Sequence, residues 1–208
     1  MSPRIKRDLS RERIADAALA VIDRHGLAKF STRRLGTALA CEAMAIYYYY
    51  PNKETLLDAV VDRLIAPLAA LLDDPAGDFD ELLVAIARAY RQISLDHPNA
   101  FPLLATRRFA TEASYRFLDT LFARAASAGI SERDAARLYR GISSFVSGFA
   151  LNELATRSSP SGRRSALDRA FPRVAAMHAH LGPDQLDELF EANLMRFLDR
   201  PAQRSRAR

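Results

Sequence analysis

With 208 residues, 49% of them hydrophobic and 26% charged, the chain carries enough apolar material for a sizeable core and too much for disorder anywhere but its ends. Its one cysteine, Cys41, excludes an internal disulfide, and no apolar run reaches the roughly 18–20 residues of a bilayer span or forms a secretion signal, so a cytoplasmic protein without membrane contact is expected. The net charge of +5 is concentrated: the first 53 residues hold ten Lys or Arg against five acids, whereas the other 155 balance at twenty of each, which confines attraction for a polyanion to the N-terminal quarter.

Apolar residues recur at 3.6-residue spacing and only eight glycines are present, which predicts an all-α fold. Ser10 is placed to cap a first helix, with Leu9 and Ile14 as the flanking hydrophobic staple, Gly26 as its end, and Ile14, Ala17, Ala18, Val21 and Ile22 facing inward. Ser31 caps a second, two-turn helix in the same way, with Phe30 and Leu35 as staple and Leu35, Ala38 and Leu39 inward. A third runs from about Ala43 to Tyr49 and must stop before Pro51, because the residue preceding a proline is pushed out of the helical region. Asn52 caps a fourth helix beginning at Lys53, with Leu56, Leu57, Val60, Val61, Leu64 and Ile65 on its buried side and Pro67 expected to kink or end it. After a break from Asp73 to Asp78, helices are predicted at about 79–96, 101–109, 111–128, 132–156, 165–180 and 184–199, followed by a frayed Arg-rich end, Arg200 to Arg208. These elements divide the chain into a helix-turn-helix DNA-binding domain (1–52), a connecting helix (53–72) and a larger helical effector-binding and dimerisation domain (73–208).

The most informative segment is Tyr47 to Tyr50. Successive helical positions are about 100° apart, so four consecutive tyrosines cover every face and some hydroxyls must point outward. A phenol on a basic surface offers a donor for phosphate and a flat face for sugars and bases. A loosely amphipathic, tyrosine-rich helix is the plain alternative.

Long helix, short helix, tight turn, short helix and connecting helix over about residues 9–63 resemble the TetR family of bacterial transcriptional regulators. The resemblance is carried by Leu9-Ser10-Arg11-Glu12, Asp16-Ala17-Ala18-Leu19, Gly26, Ser31-Thr32-Arg33-Arg34-Leu35, Tyr47, Asn52-Lys53 and Leu56-Leu57-Asp58-Ala59, and within the family it is nearest the tetracycline repressor branch. The resemblance implies that Tyr47 and Lys53 contact phosphate, with Thr32 a further contact at a helix N-terminus. The segment Glu42, Ala43, Met44 and Ala45 is poor in groups that make bidentate base contacts. Base discrimination is therefore expected to shift to Arg33, to apolar contact of Ala43, Met44 and Ala45 with thymine methyls, and to Tyr49, with Tyr48 on the same short helix. Met44 and Ile46 suit plain packing equally well, Tyr50 and Cys41 are read as core, and Ala40 stands where the family has a turn glycine, which costs on the order of 1 kcal/mol if its backbone is left-handed.

Beyond residue 73 only the layout resembles the family. On the helix predicted at 132–156, Leu138, Ile142, Phe145 and Phe149 share one face, and Gly141, Ser144 and Gly148 form a stripe of small residues that lets a second helix approach closely. The last helix supplies Leu186, Leu189, Phe190, Leu194 and Phe197. Because family members pair two such helices with their symmetry mates, these two stripes are assigned to a twofold dimer interface, against the alternative of ordinary monomer core. Tyr90, Phe101, Leu104, Arg107, Phe109, Phe117, Phe145 and Asn152 are candidates to line an effector pocket, with Gln92, His97 and Arg108 as further polar groups, and they suit a core equally. Ala69 falls where tetracycline repressors carry a ligand-binding histidine, which argues against magnesium-tetracycline as effector. His178 and His180, at a spacing of two on a helix, are a poor metal pair, and neither a metal nor another cofactor is expected.

The combination implies a homodimeric regulator that binds double-stranded DNA at a palindromic operator and is released by an unidentified small-molecule effector. A helical DNA-binding protein without effector is the alternative. An enzyme is the remaining one, but no phosphate loop, ligand cluster, carboxylate pair or nucleophile with a base stands out.

Overall fold

The structure is a computed structural model, which describes residues 9–73, 77–107, 111–158, 170–178 and 180–199. Its order is α1 (Arg11–His25), a 3₁₀ turn (Leu27–Lys29), α2 (Thr32–Leu39), α3 (Ala43–Tyr49), α4 (Lys53–Ala70), α5 (Phe79–Asp96), α6 (Phe101–Thr106), α7 (Glu112–Ser127), α8 (Glu132–Ser158), α9 (Pro172–His178), a 3₁₀ turn (Pro183–Gln185) and α10 (Leu186–Leu198). The described residues contain no strand, as the 3.6-residue spacing predicts. The expected 165–169 start of α9, the break at Ser158 to Gly162 beyond Ser158, positions 74–76 of the break at 73–78 and the tail from Arg200 lie outside the described residues.

They fall into two compact units, one drawn from positions up to 75 together with 92–123, the other from 76–91 together with 124 onward. In the first unit α1 packs on α2 and α4, α2 on α3, and α4 on α6. Its core is built from Ile14, Ile22, Leu35, Ile46, Leu56, Val60 and Phe101, each essentially sealed from solvent. The caps form where the sequence places them: Ser10 Oγ accepts from the Arg13 amide at 3.2 Å, Ser31 Oγ from Arg34 at 3.3 Å and Asn52 Oδ1 from Thr55 at 2.8 Å. Each satisfies one of the four amides a helix start leaves without an intrahelical partner.

Three expectations are corrected by tertiary packing. Ala38 is exposed and Gly36 takes its place on the buried side of α2, while Ala15 is buried on α1 where Ala17 is only half-covered. Pro67 does not end α4, which runs on to Ala70; Leu64, Ile65 and Leu68 are all buried around it, and their burial holds a turn that the proline alone disfavours. The helix expected to reach residue 109 stops at Thr106, because Arg107 turns extended (φ −81°, ψ 127°) and its guanidinium pairs with Glu54 and Asp58 of α4.

In the second unit α8 packs on α10. Phe145 stacks on Phe190 with centroids 5.7 Å apart, and Phe149 meets Phe190 edge-on at 5.2 Å. Arg91 lies 4.8 Å over the Phe190 ring and forks onto Glu153 (2.7 and 2.8 Å), with a further bond to Asp187 at 2.6 Å. Arg157 donates to the same Glu153 at 2.8 Å. Burial pushes the Glu153 carboxyl up, but the hydrogen bonds from Arg91 and Arg157 outweigh it and hold the group below its ordinary value.

Candidate nucleic-acid interface

The turn between α2 and α3 is made by two backbone features. Ala40 is left-handed (φ 52°, ψ 41°), and the Cys41 amide donates to Gly36 O at 2.9 Å while the Ala40 amide donates to Thr37 O at 3.2 Å. This is the paired 6→1 and 5→2 closure that ends a helix through a left-handed residue, here without the usual glycine. The chain then folds back so closely that a Cβ on Gly36 would sit 2.8 Å from Cys41 O. The glycine requirement therefore sits at the start of the turn, at a position the sequence reading passed over. Cys41 itself is half-buried rather than sealed, and that burial raises its thiol pKa.

The four tyrosines separate by face. Ile46 and Tyr50 are buried, and the Tyr50 hydroxyl donates to Arg11 O at 2.9 Å, as expected of a core position. Tyr49 is half-buried and donates to Leu9 O at 2.7 Å, so its phenol braces α3 against the chain entering α1. That departs from the expectation that Tyr49 takes part in base discrimination; its hydroxyl already has a backbone acceptor. Met44 (72% exposed), Tyr47 (38%) and Tyr48 (86%) make the outward stripe at the i, i+3, i+4 spacing of one helical face. Glu42 is exposed at the head of α3, and Ala43 and Ala45 are half-covered beside the stripe.

Residues from three elements converge on one edge of this surface. Thr32 Oγ1, at the start of α2, lies 3.3 Å from the Tyr47 hydroxyl of α3. Lys53, at the start of α4, holds its ammonium 3.5 Å from Phe30 O and 5.6 Å over the Phe30 ring. Arg33 is exposed on α2. Two hydroxyls, an ammonium and a guanidinium, all but the Tyr47 hydroxyl on the first turns of helices, are a donor set suited to phosphate oxygens, and a shallow stripe of methionine and tyrosine suits base edges and methyls.

The residues expected to line an effector pocket are distributed differently. Phe101, Leu104 and Phe117 are buried in the first unit, where Arg107 pairs with Glu54 and Asp58, His97 Nδ1 lies 2.7 Å from Asp23 Oδ2, and Gln92 donates to Asp96 at 2.8 Å. Tyr90, Phe145 and Asn152 belong to the second unit; Tyr90 accepts from Ser147 at 3.1 Å and Asn152 is exposed. Arg108 and Phe109 lie outside the described residues. Among the positions expected at a dimer interface, Leu186, Phe190 and Leu194 are sealed inside one chain against α8, a correction to their assignment. Gly141 serves the same packing, since a Cβ there would meet the Phe197 ring at 3.1 Å. Ser144 is exposed, Gly148 has open space beside it, and Phe149, Leu189 and Phe197 are half-buried. Among the described residues no group of three or more His, Cys, Asp or Glu is placed to hold a metal ion, and no helix is long and apolar enough to cross a membrane.

Comparison with known proteins matches residues 14–60 to the family of bacterial regulatory proteins, tetR family, and residues 72–199 to the tetracyclin repressor-like C-terminal domain. An HTH-type transcriptional regulator of Saccharopolyspora erythraea is 28% identical over 165 residues, covering 79% of this chain and 70% of its own. The tetracycline repressor protein class A from transposon 1721 of Escherichia coli is 28% identical over 200 residues, covering 90% and 88%. The crystal structure of a possible TetR family transcriptional regulator from Streptomyces coelicolor A3(2) superposes with a TM-score of 0.77 at 28% identity, covering 91% of this chain and 97% of that one.

Proposed function

This chain belongs to the TetR family of DNA-binding transcriptional regulators, and from that premise we propose that it is a homodimeric repressor of a palindromic operator, released by a small molecule held in its C-terminal domain. The observation that carries the reading is the exposed Met44, Tyr47 and Tyr48 stripe flanked by the Thr32 and Tyr47 hydroxyls and by Lys53. Thr32, Tyr47 and Lys53 hold phosphates and fix register, Arg33 reads a base edge, and Glu42, Ala43, Met44, Ala45 and Tyr48 line the groove. Tyr49 supports α3 from behind. Two copies of this head read half-sites one helical turn, about 34–36 Å, apart.

A repressor of this kind is released only by a molecule that binds the dimer with the wrong head separation better than the right one. A hundredfold loss of operator affinity requires about 2.7 kcal/mol of such difference. Small-molecule control is supported by the tetracycline repressor among the relatives, although Ala69 argues for a different ligand. The partner helices are proposed to meet along Ser144, Gly148, Phe149, Leu189 and Phe197, the part of the expected interface not sealed within one chain.

Selection of bound fragments from random DNA tests the reading. A recovered inverted repeat bound at least a thousandfold more tightly than random duplex supports it. Equal affinity for both refutes it. Screening small molecules against the selected complex then separates an effector-controlled regulator from a DNA-binding protein without one.

A further inference from the structure

A groove of about 820 Å³ opens between α1 and α2. Arg24, His25, Arg33 and Arg34 line it, and no carboxylate does. The rest of its walls are Val21 and the small or hydroxyl side chains Ala17, Ala20, Ala38, Ser31 and Thr37, which leave room in the groove. The hydroxyls already have local backbone partners, since Ser31 Oγ accepts from the Arg34 amide and Thr37 donates to Arg33 O at 3.2 Å. The guanidiniums are the uncommitted donors.

Several arginines of the described residues meet acids, Arg63 with Asp16, Arg88 with Glu191, Arg91 and Arg157 with Glu153, and Arg107 with Glu54 and Asp58. Arg24, Arg33 and Arg34 have no such partner among the described residues. The crowding is felt locally. Burial, then the charges of Arg34, Arg24 and Lys29, make the His25 ring harder to protonate. Like charges gathered around a cleft repel one another, and an anion in the cleft relieves them.

We propose that the α1–α2 groove is a binding site for a phosphate-bearing anion of at least two phosphoryl groups, held by Arg24 and Arg34. Planar guanidiniums match phosphate oxygens bidentately, which a lone lysine does not, and a pair of them suits a diphosphate better than a single carboxylate. The phosphates come either from a DNA backbone or from a free polyphosphate ligand. The site stands on this groove alone and does not depend on the operator reading.

His25 is the reporter. The full-length chain is titrated by NMR in sodium pyrophosphate and in sodium chloride of matched ionic strength, with His25→Asn identifying the signal. Pyrophosphate is expected to raise the His25 midpoint saturably and beyond the rise in chloride, and the Arg24→Gln/Arg34→Gln double variant to weaken pyrophosphate at least tenfold. Equal rises in both salts, or an unchanged affinity in the variant, overturn the proposal. Circular dichroism monitors folding of the variant, and Arg24→Gln alone, on an exposed position, repeats the test should the double variant unfold. The source follows from random-duplex binding against salt: a slope shallower by about two in the double variant assigns the phosphates to DNA, and an unchanged slope assigns them to a free ligand.

Discussion

The buried arginine of the second unit and the three groove arginines of the first are handled in opposite ways. In the second, Arg88, Arg91 and Arg157 are matched to carboxylates, and Arg91 is wedged between Glu153 and the ring of Phe190. In the reading head, Arg24, Arg33 and Arg34 stand exposed around a groove with no acid lining it. A buried charge left unpaired costs several kcal/mol, so Arg91 must find its partners within the fold, whereas a solvated guanidinium costs little until a polyanion arrives. The same residue type is structural in one place and reserved for a partner in the other.

The largest break in that comparison comes from Glu153→Ala. It takes both Glu153 bonds from the buried Arg91, leaving the exposed Asp187 as its carboxylate, and is expected to lower stability by up to about 3–5 kcal/mol, read by urea unfolding. Because the native Glu153 carboxyl lies below its ordinary pKa, its contribution is present above that ordinary value and is lost as pH falls through the native one. The wild-type unfolding free energy should therefore drop on acidification more steeply than that of the variant. An identical pH dependence would mean the pair contributes nothing.

Gly36→Ala comes next, since the added methyl meets a backbone oxygen that cannot rotate away. About 1–3 kcal/mol of thermal stability should be lost, with a matching fall in operator affinity. In the reading head itself, Arg33→Ala is expected to cost about 1–3 kcal/mol on the operator and much less on random duplex, whereas Lys53→Ala weakens both alike and makes the salt slope shallower by about one. Competition binding on the two DNAs decides, and equal losses for both variants on both DNAs would remove the division of labour. The smallest effect runs the other way: Ala40→Gly should stabilise the head by about 1 kcal/mol in thermal unfolding, by relieving the left-handed backbone.

The parts of this fold that rest on local chemistry were legible. Ser10, Ser31 and Asn52 cap the helices they precede, and the Tyr50 ring is buried at the position read as core. Non-local contacts were not. Nothing in four identical tyrosines says that Tyr49 will find Leu9 O forty residues earlier, and nothing near Arg107 says that Glu54 and Asp58 will draw it out of a helix. The apolar stripe of the last helix was ambiguous for a different reason: Leu186, Phe190 and Leu194 have the same periodicity whether they face a neighbour within the chain or a second copy. Burial within the chain decides it, and periodicity cannot.

Cys41 is the sole thiol of the chain, and it sits in the bend that sets the angle between α2 and α3. Its partial burial raises the thiol pKa and keeps down the reactive thiolate form, so a maleimide is expected to attach there more slowly than to a free cysteine. A fluorophore placed there would turn the joint between the two helices into a built-in gauge of operator engagement, with no engineered handle needed.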